Sequence, residues 1–356
     1  MNTKTTLRTL ALSSLFLAPV PALARSVDGE FAPGTEGIES LEVVTTLPVL
    51  ADIAKDVGGE FIHVAALSTP NQDPHYVQPT PVLMQKARGA DVFIECGLQL
   101  ELWGEKVAAG SGNPKIQVGQ PGRVIASTGV ETLELPTILI REWGDVHPYG
   151  NPHVWLDPLN AKILAKNIAE AFSKLDAPHA DAYRANLAEF EHRIDVALFG
   201  ADLVDEIGGR KLARLSKGGR LEEYLEHRGL SEMLGGWLAK AAPLRGRPIV
   251  TYHKTFIYLA TRFGFEIPIE IEEKPGIPPS AKQRDRVLKL IRDQGVHTIL
   301  QAVYHDRTAG TYLAKETGAH LLSEPIDVGE DVGIPDYFAL MDNLVSKLVE
   351  SESTHN

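Results

Sequence analysis

The chain has 356 residues, a formal net charge of −12 and a single cysteine. That length exceeds what one ordinary core supports and suits two lobes. The acidic balance excludes a nucleic-acid partner, whose phosphates need a basic face, and one thiol excludes an internal disulfide.

Residues 1–24 have the layout of a secretory signal peptide: Lys4 and Arg8, an apolar run from Leu10 to Val20, then Ala22-Leu23-Ala24 ahead of Arg25. Cleavage there removes two basic residues and no acidic one, which deepens the negative charge. Cys96 lies far downstream in an apolar run, so a lipid anchor on a processed cysteine is not expected. No later apolar stretch approaches the roughly eighteen residues of a membrane span, and the expected location is the periplasm. Residues 25–40, rich in Gly, Pro, Ser and acid, read as a flexible tail.

Order is expected from Leu41. Residues 41–46 read as a strand, 48–57 as a helix closed by Gly58-Gly59, and 61–67 as a second strand. After the loop Asp73-Pro74-His75, a helix over 81–88 and a buried strand over 90–96 follow. This alternation predicts a parallel sheet flanked by helices, with ligands gathering at the loops beyond the strand ends. Next come a helix near 100–109, short strands around Ile116 and Ile138, a proline-bounded loop holding His147 and His153, and a helix over 159–172. Residues 180–203 carry Tyr183, Leu187, Phe190, Ile194 and Leu198 at helical spacing, and a helix of that length spans roughly 35 Å.

Residues 210–248 mix helical segments with glycine pairs, and the strand-helix rhythm then returns. Strands are expected at 248–252, 266–271, 298–303 and 320–322, and helices at 256–263, 281–294, 308–317 and 335–348. The fold class is α/β with two lobes, each a parallel sheet flanked by helices, joined by a long rigid helix. The expected divisions are an amino-terminal lobe at 41–178, the linking helix at 179–206 and a carboxy-terminal lobe at 207–350.

His75, His153 and His253 share one context, each following a predicted strand or its exit loop and preceding a helix. Imidazole nitrogens are good ligands for zinc and neighbouring late first-row metals, although a lone loop histidine is more often a hydrogen-bonded surface residue. Spacing alone does not lift all three above that. Asp157 and Asn160 read as caps of the following helix, and His63 and His305 as structural.

Three segments carry a resemblance: Asp73-Pro74-His75-Tyr76-Val77-Gln78-Pro79-Thr80, Asn151-Pro152-His153-Val154-Trp155-Leu156-Asp157-Pro158, and Val250-Thr251-Tyr252-His253-Lys254-Thr255-Phe256. They resemble signature blocks of the cluster 9 metal-binding solute-binding proteins of bacterial ABC importers, in order from about residue 41 to residue 348. The resemblance implies that each block supplies a metal ligand, here His75, His153 and His253, and that the fourth falls at Glu324, where the family usually has aspartate. Asp327, Glu272 and water are alternatives for that fourth place. Manganese-type members tend to have glutamate at the third block, and this chain has His253. A nitrogen-rich set suits Zn(II), the expected cargo, better than Mn(II).

The resemblance further implies a monomeric periplasmic binding protein, not an enzyme, that hands zinc to an inner-membrane ABC permease. It leaves room for a periplasmic metallochaperone as a second partner. His147 sits where zinc-type relatives often have a histidine-rich loop, of which one histidine is a poor version. Two other readings use the same site: a zinc metallochaperone or adhesin without importer coupling, and a zinc hydrolase, against which no His-Glu-x-x-His helix is present.

Overall fold

Two parallel sheets position everything else in the computed structural model, which describes residues 40–136, 147–273 and 276–353. The first sheet has the order β2 (Ile62–Ala66), β1 (Leu41–Thr45), β3 (Val92–Glu95), β4 (Arg123–Ile125). The second has the order β5 (Ile249–Thr251), β6 (Thr298–Ala302), β7 (His320–Glu324). Every pairing is parallel, as the strand-helix alternation requires.

Side chains on alternate strand positions face opposite ways, so each sheet feeds two layers. Val43, Val92 and Ile94 of the first sheet and Ile249, Leu300 and Ala302 of the second enter one continuous core. Val44 and Phe93 instead pack on a smaller cluster with Trp103 and Val107. Val250 and Ile299 likewise pack on another with Val287 and Leu313. The large core therefore lies between the sheets, and each sheet has its own outer layer.

In the first half the helices are α1 (Pro48–Gly58), α2 (Pro81–Ala87), α3 (Leu102–Ser111) and α4 (Pro158–Leu175). α5 (Ala180–Phe199) packs on α1 and α4 and buries Tyr183, Phe190, Ile194 and Leu198 along the expected stripe. Then come α6 (Ala201–Ile207), α7 (Gly209–Lys217), α8 (Leu221–Arg228) and α9 (Gly236–Lys240), followed by α10 (Ile257–Phe263), α11 (Ala281–Gln294), α12 (Thr308–Thr317) and α13 (Tyr337–Ser353).

The fold corrects three sequence expectations. The long helix stops at Phe199, about 30 Å from its start. Gly200, at φ +88, breaks it where the backbone of Gly235 crosses: a Cβ on Gly200 would lie 2.8 Å from Gly235 Cα, and Gly235 N donates to Phe199 O at 2.8 Å. Only a residue without a side chain fits there. Ile116 ends a short 3₁₀ turn, Pro114–Ile116, started by Asn113, whose Oδ1 accepts from Lys115 N at 3.0 Å; the strand of that region is β4. Residues 266–271 make only isolated bridges, Pro248 with Glu266 and Thr251 with Glu270, because Pro268 has no N–H to give a ladder. The leader, the tail up to residue 39 and the strand expected at Ile138 lie outside the described residues.

Candidate metal centre

His75 and His153 are placed by one local device used twice. In Asp73-Pro74-His75, Asp73 Oδ1 accepts from the backbone N–H of His75 at 3.0 Å and from its ring Nδ1 at 2.8 Å. In Asn151-Pro152-His153, Asn151 Oδ1 accepts from His153 N at 3.0 Å and from its Nδ1 at 3.1 Å. A short side chain that bonds the backbone two residues on forms a local turn, and the intervening proline restricts its φ. Trp103 Nε1 donates to Pro74 O at 2.7 Å and Tyr258 OH to Asn151 O at 2.7 Å, which fastens both turns to the body of the protein.

His253 follows the end of β5, and Glu272 Oε2 accepts from its Nδ1 at 2.6 Å. Glu272 is itself held: its N–H donates to Tyr252 O and its Oε1 accepts from Gly276 N at 2.9 Å. In all three histidines an oxygen occupies Nδ1, and these oxygens accept, so Nδ1 carries the proton and Nε2 presents a lone pair. Outer partners of this kind orient metal-binding imidazoles and raise their basicity.

The three rings converge. Their centroids are 5.3 Å apart for His75 and His153, 5.8 Å for His75 and His253, and 6.0 Å for His153 and His253. One ligand atom from each lies within 4.8 Å of the other two, the one such group of three among the described residues. His153 is wholly buried, and its Nε2 has no hydrogen-bond partner. A buried polar atom left unpaired costs about 1–3 kcal/mol, so this lone pair is aimed at something other than the protein.

Burial disfavours the charged form of three imidazoles in and beside the cluster. Burial, then the neighbouring His75 and His253, push the pKa of His153 well below the usual range, and the same causes push His147 down to about 3. His305 is pushed down to about 4 by burial and then by His253. For Asp73, burial works upward, but the hydrogen bond and charge of His75 overcome it and hold the carboxyl below its usual value. Imidazole nitrogens backed by the Asp73 and Glu272 carboxylates suit a divalent cation of the nitrogen-preferring kind. Asp73, His75, Tyr76, His253, Glu272 and His305 line a cavity of about 40 Å³ beside the cluster, above the roughly 10–15 Å³ that one water needs.

The structure brings His75, His153 and His253 together and leaves Glu324 apart. Glu324 ends β7, and its Oε2 accepts from Asn343 Nδ2 of α13 at 2.8 Å; it is not one of the converging group. The two alternative carboxylates also have other work. Asp327 Oδ1 accepts from Val49 N at 2.6 Å and Val328 N at 2.8 Å, capping α1, and Glu272 stands behind His253. Asp157 caps α4 through Leu159 N at 2.9 Å and receives Arg262 on both oxygens, whereas Asn160 lies inside the helix.

Two neighbours stand beside the cluster, one read as structural and one singled out only through the family resemblance. His305, read as structural, stacks on Tyr252 at 4.6 Å and lies 5.8 Å from His253, with its Nε2 buried and unpaired. His147 brings its Nε2 to 3.1 Å from His75 Nε2. His305 follows β6 much as His253 follows β5, which was the available signal for it, but a single loop histidine is too common to single out.

Comparison with known proteins shows the family and the fold. The family model for zinc-uptake complex component A, periplasmic (ZnuA), matches residues 43–197 and 232–351, leaving out the stretch that forms α6, α7 and α8. The chain is 26% identical to the iron-binding protein YfeA of Yersinia pestis over 320 residues, covering 88% of this chain and 86% of that one. It is 32% identical to the manganese ABC transporter substrate-binding lipoprotein PsaA of Streptococcus pneumoniae over 156 residues, 44% of this chain and about half (48%) of that protein. A crystal structure of ZnuA superposes with a TM-score of 0.65 at 20% identity, covering 88% of this chain and 99% of that one, which shows the shared α/β fold. With two matched blocks spanning most of its length, the chain belongs to the ZnuA family of metal-binding ABC transporter substrate-binding proteins, which bind and hand over their cargo and are not enzymes.

Proposed function

We propose that the protein captures Zn(II) in the periplasm, in a cleft between lobes at 41–178 and 207–350, and delivers it to the inner-membrane permease of an ABC importer. His75, His153 and His253 are the ligands in this reading, and residues 1–24 are the leader that exports the chain. The observation that carries it is the convergence of three imidazoles whose Nδ1 atoms are all taken by oxygens, with one ligand atom of each within 4.8 Å of the other two.

Zinc is favoured over manganese or iron because the donors are nitrogen and the nearby carboxylates are spent on the imidazoles or on structure. The names of relatives point both ways: one is called a manganese protein, another an iron-binding protein, and the family model is described by zinc uptake. Donor chemistry therefore decides the proposal. Isothermal titration of the metal-free protein should give one zinc per chain, displaced little by excess manganese, and His253→Ala should abolish tight binding. Equal affinity for the two ions would refute the choice of zinc.

A metallochaperone or adhesin would use the same site. Deletion in the source organism separates these readings: failure to grow in chelated medium, rescued by added zinc, is the result expected of an importer component, and normal growth there would count against it.

A further inference from the structure

The segment before His153 folds into a tight turn, with Gly150 N donating to His147 O at 3.2 Å and Pro148 at its second position. Asn151 N then donates to Leu133 O at 2.8 Å. This places His147 six residues ahead of His153 in a position set by hydrogen bonds, and its ring lies beside that of His75, with centroids 5.1 Å apart and planes at 33°.

We propose that His147 supplies the fourth donor to the captured ion, through Nε2, so that four imidazoles and no carboxylate hold it. This rests on the reading of His75, His153 and His253 as the capture site. The geometry that carries it is the 3.1 Å between His75 Nε2 and His147 Nε2. Two nitrogens about 2.0–2.1 Å from one tetrahedral zinc stand roughly 3.3–3.4 Å apart, so this pair is already spaced almost as two ligands of one ion. Because Asp73 holds the Nδ1 proton of His75, His75 Nε2 carries a lone pair, and without metal His147 Nε2–H donates to it. When the ion enters, that proton leaves Nε2 and His147 takes the tautomer with the proton on Nδ1, with no change in the protein's charge.

The competing donors are each committed or turned elsewhere. Glu324 is bonded to Asn343, Asp327 caps α1, and both oxygens of Glu272 are occupied. Among the described residues His305 is the rival, since its Nε2 is unpaired, but it approaches the cluster from the His253 side and stacks on Tyr252. His147 is not one of the three whose ligand atoms lie within 4.8 Å of one another, so the ion draws it in through its contact with His75. An all-imidazole set has a consequence for cargo: it discriminates against oxygen-preferring manganese more strongly than three imidazoles and a carboxylate would.

The test is zinc-edge X-ray absorption, which counts imidazoles around the ion, combined with zinc titration of the full chain, His147→Ala, His305→Ala, Glu324→Gln and His153→Ala, each checked for native circular dichroism. The expected result is four imidazoles in the unaltered protein. His147→Ala should keep one zinc per chain with three imidazoles and one oxygen, weakened by at least the roughly 10- to 100-fold that loss of an outer partner costs. His305→Ala and Glu324→Gln should leave the count unchanged. Three imidazoles in the unaltered protein with no effect of His147→Ala would make His147 a hydrogen-bond partner only and overturn the proposal, as would loss of the fourth donor in His305→Ala or Glu324→Gln. Undiminished tight binding in His153→Ala would instead overturn the capture-site reading itself.

Discussion

Two places in this protein bury polar groups drawn from both halves of the chain, and they treat them in opposite ways. At the junction beneath the metal centre, Asp327 of the second half accepts from Val49 N at the start of α1, while Asp52 of α1 accepts from Tyr337 N at the start of α13 at 2.8 Å. Each half thus satisfies the open N–H groups of a helix belonging to the other. Trp155 ties the two regions together: its Nε1 donates to Ile326 O at 2.7 Å, its carbonyl accepts from Tyr337 OH at 2.8 Å, and it lies two residues after His153.

Around the histidines the bookkeeping fails to close. His153 Nε2 and His305 Nε2 are buried without a partner. Buried polar atoms are almost always paired, so a concentration of unpaired ones marks a place arranged for a ligand, whereas the paired junction is arranged for the fold. Substitutions in the two regions should therefore separate binding from stability.

The largest effect is expected at His153. A four-ligand zinc site supplies about 10–16 kcal/mol, so one ligand accounts for about 3–4 kcal/mol, or on the order of 10²- to 10³-fold in affinity. His153→Ala should show that loss by titration, with a smaller fall in the melting temperature of the metal-free protein, set by the cavity it leaves and the Asn151 bond it gives up. A melting temperature that falls as far as the affinity does would erase the contrast.

Glu272→Gln comes next. It keeps an acceptor near His253 Nδ1 but removes the negative charge behind the ring, and zinc affinity should drop roughly 10- to 100-fold. Urea denaturation of the metal-free form should move little.

At the junction the pattern reverses. Asp327→Ala leaves two backbone donors unpaired and should cost about 1–3 kcal/mol by urea denaturation, with zinc affinity unchanged. The same residue gives a pH signature. Burial, with the nearby charges of Asp52 and Asp331, pushes the Asp327 carboxyl up to about 8 against the bonds from Val328 and Val49, and burial pushes Asp52 up to about 7. The folded state then binds more protons than the unfolded state between the ordinary carboxylate range near 3.8 and those raised values. Stability is therefore full below about pH 4 on account of these two groups and is lost as pH rises to about 8. Asp327→Asn, which keeps an acceptor and cannot ionise, should flatten part of that slope in melts recorded from pH 5 to pH 9.

Glu324→Gln is the smallest change. Its oxygen can still accept from Asn343, and both affinity and stability should stay within error of the unaltered protein. A clear loss of zinc would return the carboxylate to the site and sharpen the question of where His147 points.

Much of the fold was legible because its elements are locally determined. α11 and α12 occur over the residues that periodicity marked, 281–294 and 308–317, with Ser280 capping the first through Gln283 N and Gly295 and Gly318 ending each. The misreadings occurred where distant chain intervened or local chemistry was subtle. Nothing near residue 200 says that Gly235 will cross its backbone, so the helical stripe seemed to run on to Leu203.

The site divides in the same way. By itself the sequence determined the two Asx-Pro-His turns, since the acceptor, the proline and the histidine are three consecutive residues whose geometry is closed within the turn. It also determined that these turns, with His253, lie at strand ends where a parallel sheet opens. Only the tertiary structure decided which acid does what. Glu272, Glu324 and Asp327 all lie in or just after extended segments of the second half, yet one backs an imidazole, one meets Asn343 and one caps a helix 278 residues away in the chain. A carboxylate's role depends on its partner to within a few tenths of an ångström, and the partner is supplied by packing between elements that the local sequence does not encode.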